Sequence, residues 1–221
     1  MGTEIVEQPS DLDELLRRAA EGDESAREAL FMQHSDRLKA MIRLRMHRRL
    51  RGRLDPSDVL QEAFLEVAKR LDECLQDPPD SFFLWLRKVA VTKLAEIHRH
   101  HLDVQARDAE REISILGLGE PAADSVSLAA HLLGRITSPS QAAIKAEERF
   151  NLQQVLDSLD PIDREVIALR HFEQLDSQET AAVLGLSKSG ASSRYIRAMR
   201  RLHSVMAEND LSGNQTPGEN R

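Results

Sequence analysis

Cysteine is almost missing from this 221-residue chain, and aromatics and long apolar runs are scarce. Cys74 stands alone, so no disulfide can form within the chain and a reducing compartment is expected. Aromatic residues make up 4%, with one Trp and one Tyr, which leaves the aliphatic side chains to build any core. The longest wholly apolar stretch, Phe82 to Leu86, falls far short of the about 20 residues that span a bilayer. The N-terminal MGTEIVEQPS is acidic and has no apolar signal core, so a cytoplasmic location without a membrane partner is expected. There is also no P-loop, GxSxG, HExxH or glycine-rich dinucleotide turn, so an enzyme is not expected. No cofactor and no metal are expected: the run HRHH (His98 to His101) lacks cysteines and ligand spacing.

What is abundant is charge, at 30% of residues, and its signs are segregated. The formal net charge is −7, yet residues 37–54, RLKAMIRLRMHRRLRGRL, hold eight bases and no acid. Residues 1–36 carry ten acids against three bases, and residues 55–80 eight acids against two bases. A second basic block, 176–203, has five bases and two acids, and no acid at all occurs from 180 to 207. Such a chain can meet a polyanion on some faces and a basic protein on others. One charge run alone would be a solvated helix face; two acid-free arginine clusters are harder to explain that way.

The pattern is helical nearly throughout, so the expected fold is all-α: two small helical domains joined by a flexible linker. Leu12, Leu15, Leu16 and Ala19 follow a Ser10 cap, and a second helix from about Asp23 carries Leu30, His34, Leu38, Met41 and Ile42. In DPSD, Asp55 suits a cap and Pro56 the first helical position; Leu60, Phe64, Val67 and Leu71 then form one stripe. Opposite that stripe stand Asp58, Gln61, Glu62 and Glu66. The prolines of QDPPD (Gln76 to Asp80) end the helix, and the next buries Phe82, Leu86, Val89, Ala90 and Leu94, with Trp85 read as core. Period fades across 117–140, a tether with one short helical turn near Leu128 to Leu133. The expected boundaries are 10–110, a linker 111–145, a second domain 146–207 and a disordered tail 208–221.

Within the second domain DSQE (Asp176 to Glu179) is a capping box, Gly185 ends a short helix and Ser187 caps the next. Ala191, Tyr195, Ala198 and Leu202 share one face of that helix, which leaves Lys188, Ser189, Ser192, Ser193, Arg194, Arg197, Arg200 and Arg201 pointing outward. This is a helix-turn-helix with a neutral-to-basic exposed side, suited to a major groove.

These residues resemble a known family. DPIDREVIALRHFEQLDSQETAAVLGLSKSGASSRYIRAMRRLHSV is similar to region 4 of bacterial sigma-70-family factors, closest to the extracytoplasmic-function (ECF) group. LDPSDVLQEAFLEVAKRLDE resembles region 2.2, and FLWLRKVAVTKLAEIHRHH regions 2.3 and 2.4. The resemblance implies a transcription initiation factor that binds core RNA polymerase and directs it to promoter DNA. It implies docking on the β′ coiled coil through Asp55, Asp58, Gln61, Glu62 and Glu66. It assigns the −10 element to Lys93, His98, Arg99, His100 and His101, with Glu96 and Ile97 at matching positions, and a flipped base to the loop 76–80. The −35 element falls to Lys188, Ser189, Ser192, Ser193, Arg194 and Arg197, while the apolar side of region 4 meets the β flap. The basic run, with Arg45, Arg48, Arg49 and Arg51, is expected along the DNA backbone. An anti-sigma factor is a further candidate partner. The chain departs from the family pattern at Thr92 (usually Asn), at Gly190 (usually Thr or Ser) and in its histidines, where arginines are more usual. The alternative, a stand-alone helix-turn-helix regulator, would be expected to dimerise on a palindrome and leaves the acidic helix without a role.

Overall fold

The computed structural model describes residues 11–76, 81–102, 121–134 and 142–213, and every regular element among them is helical. The N-terminal half holds α1 (Asp11–Ala20), α2 (Glu24–Arg45), α3 (Pro56–Gln76) and α4 (Phe82–Leu102). A helix α5 (Ser125–Gly134) follows. The C-terminal half holds α6 (Ala142–Ser158), α7 (Pro161–Ile167), a π-helical turn (Ala168–Phe172), α8 (Ser177–Leu184) and α9 (Lys188–Gly213). Among the described residues no helix is long and apolar enough to cross a membrane.

Local chemistry starts these helices where the sequence places them. The Asp23 carboxylate accepts from the Ser25 and Ala26 N–H groups, at 2.9 and 3.2 Å. At α3 the capping is reciprocal: Asp55 accepts from the Ser57 N–H at 2.7 Å, and Asp58 accepts from the Asp55 N–H at 3.1 Å. Asp160 caps α7 with Pro161 just inside it. Each cap satisfies amide donors that the helix itself leaves unpaired, worth about 1 kcal/mol.

The apolar stripes then find each other. Leu30, Leu38, Met41, Ile42, Leu71, Leu86 and Leu94 are all 1% exposed or less. Phe31 and Phe64 stack at 5.2 Å between α2 and α3, and Phe82 stacks on Trp85 at 5.6 Å, so Trp85 packs with the core as expected. The stretch read as a tether contributes more than one turn: α5 is ten residues long, and Leu128, Ala129 and Leu133 are buried with Leu152 and Leu156 of α6. At the other end α9 runs to Gly213, six residues past the expected boundary at 207. Residues 103–120 and 135–141, the tail from 214, Ser10 and loop residues 77–80 lie outside the described residues, while 142–145 of the expected linker already belong to α6.

The two halves are packed on one another. Val166, Leu169, Leu175 and Leu184 of the C-terminal half join the α1–α4 core, and Leu44 of α2 joins the core of α5, α6 and α9.

Candidate nucleic-acid interface

The helix-turn-helix is set up by its caps. Asp176 accepts from the Gln178 and Glu179 N–H groups at 2.7 and 2.8 Å, and Glu179 accepts from the Asp176 N–H at 3.0 Å. These amide donors hold the Asp176 carboxyl below its ordinary value, with Lys188 and Arg170 assisting. Gly185 turns the chain at φ 62°, a left-handed conformation that costs glycine little. Ser187 caps α9 by accepting from the Gly190 N–H at 3.0 Å. A Cβ on Gly190 would lie 3.0 Å from that Ser187 oxygen, so glycine leaves the cap room.

Ala191, Ala198 and Leu202 are buried, as the register requires. The opposite side of α9 is open: Lys188, Ser189, Ser193, Arg197, Arg200 and Arg201 are exposed, and Ser192 is partly so. Ile196, which the sequence reading passed over, stands among them at 48% exposure. Arg194 is engaged elsewhere, with its guanidinium 2.7 Å from Asp163 and 3.7 Å from Asp160, so it ties α9 to the start of α7. Tyr195 faces His171, its hydroxyl 2.8 Å from the ring nitrogen Nε2.

On α4, Arg99, His100 and His101 are exposed, together with Thr92. Lys93 is partly exposed and bridges Glu62 of α3 and Glu96 at 3.3 and 3.6 Å; its hydrogen bond to Glu62 raises its pKa. His98, expected on the −10 element, is placed differently. It is 2% exposed, and its Nε2 accepts from the His47 N–H at 3.2 Å, so it braces the end of α2 rather than meeting solvent. Burial, with the charge of His47 beside it, pushes its pKa down to about 4.

The basic run divides in the same way. Arg43, Arg48, Arg49, Arg51 and Arg53 are exposed, and Arg51 reaches Asp124 at 3.0 Å. Arg45, expected along the DNA backbone, is 2% exposed and sits in a buried ionic cluster, out of reach of DNA in this conformation. Its guanidinium donates to Glu173 at 2.5 and 2.9 Å, to Glu165, and to the Pro121 carbonyl at 2.9 Å. Glu173 also accepts from Arg87 of α4 at 2.6 Å. Burial alone would push the Glu173 carboxyl up, yet the Arg45 and Arg87 guanidiniums hold it below its ordinary value. The π-turn at 168–172 and Gln174 at φ 55° carry Glu173 inward. Arg37 closes the corner: it donates to the Glu173 and Gln174 carbonyls and lies 3.6 Å over the Phe83 ring.

The acidic side of α3 is free of this packing. Asp55, Asp58, Gln61 and Glu62 are exposed around Leu65, itself 62% exposed, while Glu66 is held by Arg70 and Lys69 at 2.6 and 3.3 Å. Asp55 and Asp58 also serve as caps, a role that sequence spacing shows for Asp55 alone.

The chain is similar to several proteins of known class. It is 26% identical over 207 residues to the RNA polymerase sigma factor NccH of Alcaligenes xylosoxydans xylosoxydans, covering 92% of this chain and 98% of that one. It is 27% identical over 201 residues to the RNA polymerase sigma factor CnrH of Cupriavidus metallidurans, covering 90% and 96%. Its fold is similar to that of CnrH in a solved complex with the cytosolic domain of CnrY, with a TM-score of 0.52 at 24% identity, over 90% of this chain and 99% of that one. The model that describes ECF sigma factors matches residues 9–208, and the chain belongs to that family.

Proposed function

We propose that this ECF sigma factor divides its work between the faces described above. The α3 face of Asp58, Gln61, Glu62 and Glu66, with Leu65 at its centre, docks on the β′ coiled coil of core RNA polymerase. An exposed leucine ringed by carboxylates and an amide suits a basic, partly apolar partner. The C-terminal part of α4, with Arg99, His100 and His101, reads the −10 element, and Arg48, Arg49 and Arg51 follow the backbone there. The outward side of α9 reads the −35 element: Ser189, Ser192 and Ser193 approach base edges, and Lys188, Arg197, Arg200 and Arg201 hold guanines or phosphates. Residues 10–110 and 146–207 thus form the two working units. His98, Arg45 and Arg194 act on DNA only indirectly, by positioning α2, α4 and α9.

The observation that carries this reading is the acid-free, exposed face of α9 from Lys188 to Ser204, in the same chain as an exposed acidic face on α3. The chemistry is recruitment, with the bond-making left to the polymerase. By analogy with CnrH, solved with CnrY, a cytosolic anti-sigma segment is a further partner. Run-off transcription tests the assignment: core polymerase with this chain is expected to initiate at defined sites in genomic DNA where core alone does not. Sequence-specific binding by the chain alone as a dimer, with no change in transcription, would favour the stand-alone regulator.

A further inference from the structure

Of the large apolar side chains exposed among the described residues, one lies on α9: Ile196, at 48% exposure. We infer that Ile196 is a specificity-determining residue, which reads the 5-methyl group of a thymine in the −35 element through the major groove. The inference rests on the assignment of α9 to that element and adds to it a side chain with no charge and no hydrogen-bonding group.

Placement points to the duplex. Ile196 follows Ser189 by seven residues, Ser192 by four and Ser193 by three, and it precedes Arg200 by four. Residues at those spacings share one side of a helix, so Ile196 stands in the middle of the outward row, between the serines and a guanidinium. A recognition helix in the major groove reaches base edges through the same i, i+3, i+4 and i+7 positions. Ala191, Ala198 and Leu202 are buried on the other side, and no acid stands on α9 from Lys188 to Ser204. A face with that charge meets a polyanion rather than an apolar protein surface.

Two anchors hold the row in register. Arg194 pairs with Asp163 at 2.7 Å, and the Tyr195 hydroxyl lies 2.8 Å from His171 Nε2. Both directly precede Ile196 in sequence, so they resist any roll of α9 that would turn it inward. An isoleucine in a helix also keeps one χ1 rotamer, so its methyl groups point the same way before and after DNA arrives.

Chemistry then selects the base. The side chain neither donates nor accepts, so it gains nothing from the polar edges of guanine, adenine or cytosine. In the major groove the thymine methyl is the apolar group on offer. At about 1.5 Å per residue Ile196 lies about 10 Å along the axis from Ser189, which is about three base pairs at about 3.4 Å each. The thymine is therefore expected about three pairs from the base pair nearest Ser189. The contact takes about one methyl group out of water, worth about a fourfold change in binding.

The test removes that methyl alone. Core polymerase carrying this chain selects promoter duplexes from a random pool, and each thymine of the selected −35 element, on either strand, is replaced in turn by uracil. At one position uracil is expected to weaken binding of the natural holoenzyme about fourfold. Ile196→Ala places the best helix former on an exposed site, so the fold is kept. It is expected to weaken binding to the thymine duplex by about as much, and to make binding indifferent to uracil at that position. Equal uracil effects in the natural and Ile196→Ala holoenzymes at every position, or none in either, would overturn the thymine contact. Arg197→Ala tells that failure from failure of the parent reading. If Arg197→Ala also leaves promoter binding unchanged, the assignment of α9 falls; if it weakens binding while uracil and Ile196 do not couple, the Ile196 inference alone falls.

Discussion

Glu173→Ala is the sharpest perturbation the structure offers. The side chain is 0% exposed and accepts three charge-assisted hydrogen bonds, two from Arg45 and one from Arg87. Its removal leaves two guanidiniums, each 2% exposed, with only Glu165 and one carbonyl shown to hold Arg45. Breaking a buried pair by deleting one partner costs about 3–5 kcal/mol. A domain of this kind has about 5–15 kcal/mol in all, and about 1 kcal/mol moves the melting midpoint by about 2–4 °C at this length. A fall of about 6–20 °C is expected in differential scanning calorimetry. If the halves part before they unfold, the arginines regain water, and the loss appears as an earlier, separate transition. Glu66→Ala is the control: its carboxylate pairs with Arg70 and Lys69 on an open helix face, and a pair of that kind contributes under about 1 kcal/mol. A Glu173→Ala thermogram indistinguishable from that of Glu66→Ala would refute the energetic reading of the cluster.

Other outcomes follow from the same geometry. Arg197→Ala should weaken −35 binding by the holoenzyme by about tenfold, for loss of about 1–3 kcal/mol of contact, while Arg194→Ala should act mainly on stability by freeing α9 from Asp163; equal effects of both on DNA would contradict that division. Asp176→Ala removes the cap of α8 and should cost about 1 kcal/mol in urea unfolding, with an unchanged midpoint the contrary result. His98 titrates at about 4 in the folded chain, below the ordinary histidine value, so between those values the unfolded chain binds more protons and stability falls as the pH falls. The loss from His98 between pH 7.5 and pH 5 should be about 2 kcal/mol, and His98→Asn should remove that share of the pH dependence; parallel pH profiles for the two proteins would contradict it. Burial lowers the His34 pKa as well, which adds a loss of the same sign that both proteins share.

Much of the fold was legible because its determinants are local. Asp23, Asp55, Asp160 and Asp176 cap helices through amides two or three residues away, and Gly185 turns the chain by its own backbone freedom. The outward side of α9 could be read the same way, since burial of Ala191, Ala198 and Leu202 fixes which residues remain outside. The misplacements came where composition outweighed register. Arg45 falls on the line of Leu38, Met41 and Ile42, and His98 on the line of Leu86, Ala90 and Leu94, so helical spacing turns both inward despite their basic neighbours. Glu165 and Glu173 carried no local signal at all. Their partner Arg45 lies 120 and 128 residues away, and the π-turn that aims Glu173 has no sequence signature here. Leu65 and Ile196 were missed because an apolar side chain on a polar helix face is invisible to a search for charge.

The most direct measurement is gel filtration of the purified chain with bacterial core RNA polymerase, beside a Glu62→Lys/Leu65→Lys variant that leaves the Asp55 and Asp58 caps intact. The account predicts co-elution at one-to-one stoichiometry for the natural chain, and elution apart from polymerase for the variant at unchanged helix content by circular dichroism. Separate elution of the natural chain, or undiminished co-elution of the variant, would contradict the account.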